Sequence, residues 1–146
     1  MKKFIVAFAT GILLISTTAM AGGKDKTTPA QATFQKEFNG ATDVKWTEGK
    51  DVISASFVLS ESRVIAYFDH SGELLGTARS ILFNQLPLAA IKEINKRFGS
   101  APVYDIVEYS TGEETFYSMG VETATKFTKL KVSQSGDISV VQKTKR

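Results

Sequence analysis

The chain contains no cysteine, one histidine, one tryptophan and three prolines. Without cysteine it can form no disulfide, offer no thiolate to a metal and carry no lipid on a cysteine at a leader junction, so the fold must rest on its core. With His70 as the only histidine, a zinc or redox-metal site would depend almost wholly on carboxylates, a poor donor set for either. His70 stands between Asp69 and Ser71. Immediate neighbours in a turn cannot align nucleophile, base and orienting acid, so these three residue types do not make a hydrolase triad. Asp105, Glu108, Glu113, Glu114 and Glu122 lack the spacing of a calcium loop. No glycine-rich phosphate loop occurs either. The chain therefore reads as a non-enzyme with no catalytic residue, no metal site and no cofactor.

Long apolar runs are missing beyond the first residues. Lys2 and Lys3, the apolar stretch Phe4 to Ile15 and the small-x-small triplet Ala19-Met20-Ala21 predict a signal peptide over residues 1–21. The expected product is a single exported domain of 125 residues, 22–146, periplasmic or secreted, with no membrane-spanning segment of its own. Two lysines leave with the leader, so sixteen basic residues face fifteen acidic ones, and a net charge of +1 gives no footing for nucleic acid. Lys126, Lys129, Lys131, Lys143, Lys145 and Arg146 nevertheless gather at the end of the chain. Such a run reads first as a solvated face, and as an anionic docking patch in the functional alternative.

What is abundant is two-residue alternation. Arg63 to Ile81 holds a whole β-hairpin, with Val64, Ala66 and Phe68 alternating with Ile65 and Tyr67 before the turn Asp69-His70-Ser71-Gly72. Phe127 to Gln142 repeats it around Ser133-Gln134-Ser135-Gly136. Ahead of the first hairpin, Thr28 caps a short helix with Pro29 at its first position and Phe34 and Phe38 on one face. Strands follow over Asp43–Thr47 and Asp51–Leu59. Ahead of the second, Pro87, Ile91, Ile94 and Phe98 make a stronger amphipathic helix closed by Gly99. Strands then follow over Val103–Tyr109, Thr115–Val121, Thr125–Ser133 and Asp137–Gln142. Phe38 to Gly49 is 11 residues and Phe98 to Gly112 is 14, while Gly49 to Gly72 is 23 and Gly112 to Gly136 is 24. These spacings predict two repeats, about 28–82 and 86–142. The fold class is α+β: a tandem duplication of a helix plus a four-stranded antiparallel meander, forming one curved sheet of about eight strands with both helices on one face.

Aligning the hairpins places Val64, Ala66 and Phe68 with Thr128, Leu130 and Val132 towards the helices. Ile65 and Tyr67, and Lys129 and Lys131, then lie on the open face, aromatic and apolar in one half and basic in the other. A one-residue bulge would exchange the two rows. Trp46 shares its side with Val44 near a strand end and reads as core or as an anchor at the sheet mouth, an ambiguity shared by Tyr104, Tyr109 and Tyr117. The candidate binding face is Trp46, Ile65, Tyr67, Tyr109, Lys129 and Lys131.

Phe38-Asn39-Gly40-Ala41, Val44-Lys45-Trp46, the hairpin Tyr67 to Leu74 and Leu86-Pro87 together resemble the PepSY-like, β-lactamase-inhibitor-protein-like exported proteins typical of Bacteroidetes. The resemblance implies a duplicated fold with a concave sheet that grips a protein through aromatic side chains. PepSY domains are associated with restraining peptidases or with other roles in the envelope. No inhibitory loop matches residue by residue, and the inhibitor's disulfides have no counterpart here. The expected function is an exported binding module for a protein or peptide partner, inhibitor-like in use, with self-association left open. The alternative is a carrier or sensor holding a small ligand in an apolar pocket between sheet and helices.

Overall fold

Thr28 begins the first helix as the sequence requires. In the computed structural model, which describes residues 27–145, its hydroxyl accepts from the Gln31 amide at 3.3 Å while the Gln31 side chain accepts from the Thr28 amide at 2.9 Å. This capping box, with Pro29 at the first position, starts α1 (Pro29–Glu37). Four strands follow: β1 (Thr42–Glu48), β2 (Ile53–Leu59), β3 (Ser62–Phe68) and β4 (Leu74–Ser80). A 3-10 turn over Phe83–Gln85, absent from the sequence expectation, leads into α2 (Leu88–Phe98), closed by Gly99. The second set of strands is β5 (Val103–Ser110), β6 (Thr115–Glu122), β7 (Lys126–Ser133) and β8 (Ile138–Lys145). The expected signal peptide lies outside the described residues.

All eight strands form one antiparallel sheet in chain order, β1 to β8. The halves join directly: Thr77, Ala78, Arg79 and Ser80 of β4 pair with Ser110, Tyr109, Glu108 and Val107 of β5. Ladder pairing carries one continuous row across seven strands, Phe57, Val64, Arg79, Glu108, Tyr117, Val132 and Ile138. The apolar members of this row belong to two separate cores. One packs Ala30 and Phe34 of α1 on Ala55, Phe57, Ala66 and Phe68. The other packs Ala90 and Ile94 of α2 on Ile106, Tyr117, Met119, Val121, Leu130 and Val132. Both helices therefore cover the same face. Each fully buried large side chain, such as Phe57 or Leu130, contributes about 1.5–3 kcal/mol to stability.

The two halves use the same devices at corresponding places. In β1 the register shifts between Thr42 and Lys45 around Asp43, whose φ is 49°. In β5 it shifts between Tyr104 and Val107 around Asp105, whose φ is 52°. Both hairpin turns close identically. The amide of residue 69 or 133 donates to the carbonyl of residue 73 or 137, and the glycine amide, Gly72 or Gly136, donates back. The Asp69 carboxylate accepts from the Ser71 hydroxyl and the Ser71 and Glu73 amides, which holds its pKa below the usual carboxylate value. Ser133 takes that place in the second turn, accepting from the Asp137 amide at 3.0 Å. Each turn then lies against the helix of its own half. A Cβ on Gly72 would stand 2.5 Å from the Pro29 carbonyl carbon, and one on Gly136 would stand 2.8 Å from the Ala89 oxygen. Thr33 of α1 fastens the first contact by donating to the Gly72 carbonyl at 2.7 Å. His70 is a turn residue, its Nε2 2.9 Å from the Lys50 carbonyl.

Candidate functional site

The sheet face opposite the helices is read from the same register. A central row runs Lys45, Ser56, Ile65, Ala78, Tyr109, Phe116 and Ser133, one residue from each strand β1 to β7. Beside it lie Tyr67 against Gly76, and the row Ser80, Val107, Ser118 and Lys131. Five of the six residues expected on the open face are there: Ile65, Tyr67, Tyr109, Lys129 and Lys131.

Trp46 is not among them. Pairing with Ala55 turns it towards the helices, where its ring lies edge-on to Phe34 at 5.3 Å and tilted against Phe68 at 5.8 Å. It closes the first core beside α1, and this corrects its placement with the open face. The bulge at Asp43 sets the register that puts Trp46 there. Tyr117, ambiguous in the sequence, also faces the helices, whereas Tyr104 lies on the open side, since it pairs with Gly120 and Lys129 continues that row.

The division into an aromatic half and a basic half is also replaced by a finer pattern. The apolar surface is centred on the junction between β4 and β5 and continues into the second half. Tyr109 stacks on Phe116 with centroids 5.2 Å apart, and the Lys131 ammonium lies 4.0 Å from the Phe116 ring centroid. Farther out, Tyr104 and Phe127 stack at 5.4 Å over Gly120, where a Cβ would meet the Tyr104 ring at 2.8 Å. Cations stand on both sides. Arg63 and Lys45 share the Asp43 carboxylate at 2.5 Å and 3.7 Å, and Lys131 reaches Glu114 at 3.5 Å. Phe116, not among the candidate residues of the sequence, is the floor of this surface and is only 9% exposed. Its signal was present, since it alternates with Tyr117 in a strand.

At the junction the polarity of the two faces is inverted. The helix side, between the two cores, carries the ion pair Arg79–Glu108 at 2.6 Å. The open side carries a hollow of about 250 Å³ lined by Ile65, Tyr67, Ala78, Val107 and Tyr109, together with Arg63, Arg79 and Ser80. Burial raises the pKa of both tyrosines above the ordinary phenol value, and the neighbouring Tyr109 adds to the effect on Tyr67. Both hydroxyls are therefore neutral at physiological pH. Such a surface offers packing area, neutral hydroxyls and flanking cations. It holds no nucleophile with an adjacent base, and no group of three metal-ligating side chains occurs among the described residues.

No protein-family model and no curated protein matches the chain. Among solved structures the fold is similar to a BLIP-like protein from Bacteroides fragilis, with a TM-score of 0.68 and 21% identity over 80% of this chain and 84% of that one. It is similar to a candidate periplasmic protein from Bacteroides eggerthii, with a TM-score of 0.70 and 15% identity over 80% and 86%. A DUF2874 family protein from Bacteroides ovatus gives a TM-score of 0.71 and 14% identity over 84% and 89%. At these identities the likeness is one of fold: two helices on an eight-stranded antiparallel sheet.

Proposed function

We propose that this chain is a non-enzymatic binding module of the cell envelope that receives a protein or peptide partner on the open sheet face. The observation that carries the reading is the apolar surface at the β4–β5 junction, Ile65, Ala78, Tyr109 and Phe116 in one row with Tyr67 and Val107 beside it. Natural antiparallel sheets with one solvated face put polar residues there. An aromatic cluster at the centre of such a face, rimmed by cations, has the make-up of an interface core and rim. Exported location rests on the leader-like residues 1–21, and the likeness to a candidate periplasmic protein supports it. The resemblance to PepSY-like proteins makes an envelope peptidase the first partner class to try.

The alternative, a small-ligand carrier, has less to stand on. Phe34, Phe57, Phe68, Met119 and Leu130 fill the space between sheet and helices, and the hollow at the β4–β5 junction lies on the other face. On the helix side a smaller hollow of about 200 Å³ sits at the end of α2, where Asn95, Gly99 and Ser100 join Phe83, Ala101 and Val103 in its lining, so it is not an apolar pocket.

The test is crosslinking capture from a periplasmic extract, followed by titration of the purified captured protein against wild type, Tyr109→Ala and Trp46→Ala. Tyr109→Ala should weaken binding at least tenfold at temperatures where it remains folded, its own cost being about 1–2 kcal/mol because the half-buried ring loses its stack on Phe116. Trp46→Ala should cost about 2–3 kcal/mol of stability, less than for a fully buried aromatic because Trp46 is only half-buried. At temperatures where this variant remains folded, it should bind normally. Equal binding by wild type and Tyr109→Ala would remove the open face from the reading.

A further inference from the structure

The charge of this chain is divided between two parts of the fold. Residues 126–145, the β7–β8 hairpin, hold five lysines and one acid, Asp137, whereas residues 22–125 hold ten basic and fourteen acidic residues. A net charge near zero therefore conceals a hairpin of +4 beside a remainder of −4. The hairpin is the edge of the sheet, since among the described residues β8 pairs only with β7.

Ladder register places the lysines around this edge. Lys126 pairs directly with Lys145, and Lys143 pairs with Thr128, all on the helix-facing side, while Lys129 stands on the open side opposite Gln142. Like charges directly opposite one another destabilise an antiparallel pair. Among the described residues no carboxylate lies within ion-pair distance of Lys126, Lys129, Lys143 or Lys145. Two apolar side chains are exposed among them, Val140 at 36% and Val141 at 58%. Val141 is the extra residue where the β7–β8 register shifts between Lys129 and Leu130.

We infer that the β7–β8 edge docks on an anionic lipid surface, with lysines from both sides of the strand reaching phosphate headgroups and Val140 and Val141 entering the interface. Cations that lie on both faces of a sheet edge suit a broad, flat anion better than one small ion. Exposed apolar residues between lysines are the composition of interfacial segments. Each lysine near such a surface strengthens binding about fivefold, an effect that salt screens. The acidic remainder of the molecule would be repelled, which sets its orientation with the β7–β8 edge against the lipid. This site is separate from the hollow at the β4–β5 junction, so either can fail alone.

The probe is co-sedimentation of residues 22–146 with vesicles of phosphatidylcholine alone or with 30% phosphatidylglycerol. Wild type should bind the anionic vesicles only and release at about 0.5 M salt, where the screening length falls well below 10 Å. Lys143→Glu with Lys145→Glu should weaken binding at least tenfold while circular dichroism stays as in wild type and the melting temperature does not fall, since the change at 145 relieves the repulsion with Lys126. Val141→Ser should weaken it a fewfold with its salt dependence kept. No binding to anionic vesicles, equal binding to neutral ones, or an unaffected charge-reversal variant would each overturn the inference. So would retention on soluble polyphosphate without retention on vesicles. Should the double variant unfold, Lys126→Gln with Lys129→Gln, which only neutralises charge, must still show the loss.

Discussion

Gly72 and Gly136 are single residues on which each half-fold turns. Both have φ near 90°, and both bring a hairpin turn into contact with the first turns of a helix. Gly40 has a similar φ of 86°, but a Cβ there would meet nothing within 4 Å. The pair Gly72→Ala and Gly40→Ala separates two costs that usually come together. Gly40→Ala should lose about 1 kcal/mol for the left-handed backbone alone. Gly72→Ala should lose about 2–4 kcal/mol, because α1 must also move away from the turn or the turn must open. Urea unfolding of the two variants measures the difference. Equal losses would mean that the turn and helix are not in firm contact.

At the scale of elements, the sequence spoke most clearly where a local pattern and a tertiary role coincide. Thr28 and Pro29 announce α1 because the capping chemistry is local, and Gln31 completes the box in the structure. The alternation Val64 to Phe68 announces β3 and its buried side because one face of the strand is core. Trp46 could not be placed from alternation, since the residue that sets its side is Asp43, an ordinary strand-entry residue until its positive φ is known. Asp105 hides the corresponding bulge in β5. The helical character of Phe83–Gln85 was similarly silent, three residues being too few for any period. The β2–β3 turn is a case where the sequence and the geometry disagree in a testable way. Ser60 and Glu61 both have positive φ, 48° and 64°, in a two-residue hairpin between paired Leu59 and Ser62. This geometry favours Asn-Gly. Ser60→Asn with Glu61→Gly should therefore raise stability by about 1 kcal/mol, read as an upward shift in the urea midpoint with unchanged slope. A lower midpoint would show that Ser60 or Glu61 makes a compensating interaction.

For the whole molecule, the decisive feature is that two cores share one sheet through four residue pairs and the ion pair Arg79–Glu108. The Glu108 carboxylate is 18% exposed and the Arg79 side chain 49% exposed, so the pair is partly screened. A double-mutant cycle with Arg79→Ala and Glu108→Ala should give a coupling of about 0.5–1 kcal/mol, between the values for exposed and buried pairs. Its effect should be concentrated in hydrogen exchange at Thr77–Ser80 and Val107–Ser110, with the amides under Phe57 and Leu130 protected as before. Faster exchange spread evenly over both cores would mean that the halves unfold as one unit and that the junction is not their weak link. The open-face hollow straddles the same junction, so an occupant there would touch both halves at once.

Strand order equal to chain order also governs how the chain acquires its structure. Every ladder joins neighbours in sequence, and the longest gap between paired strands, Ser80 to Val103, is occupied by α2 itself. Loop closure is therefore inexpensive at each step, and topologies rich in local contacts fold fast for their class. A polypeptide delivered from its amino end can lay down α1 and its meander while later strands are still arriving, with β4 left as the template on which the next half begins.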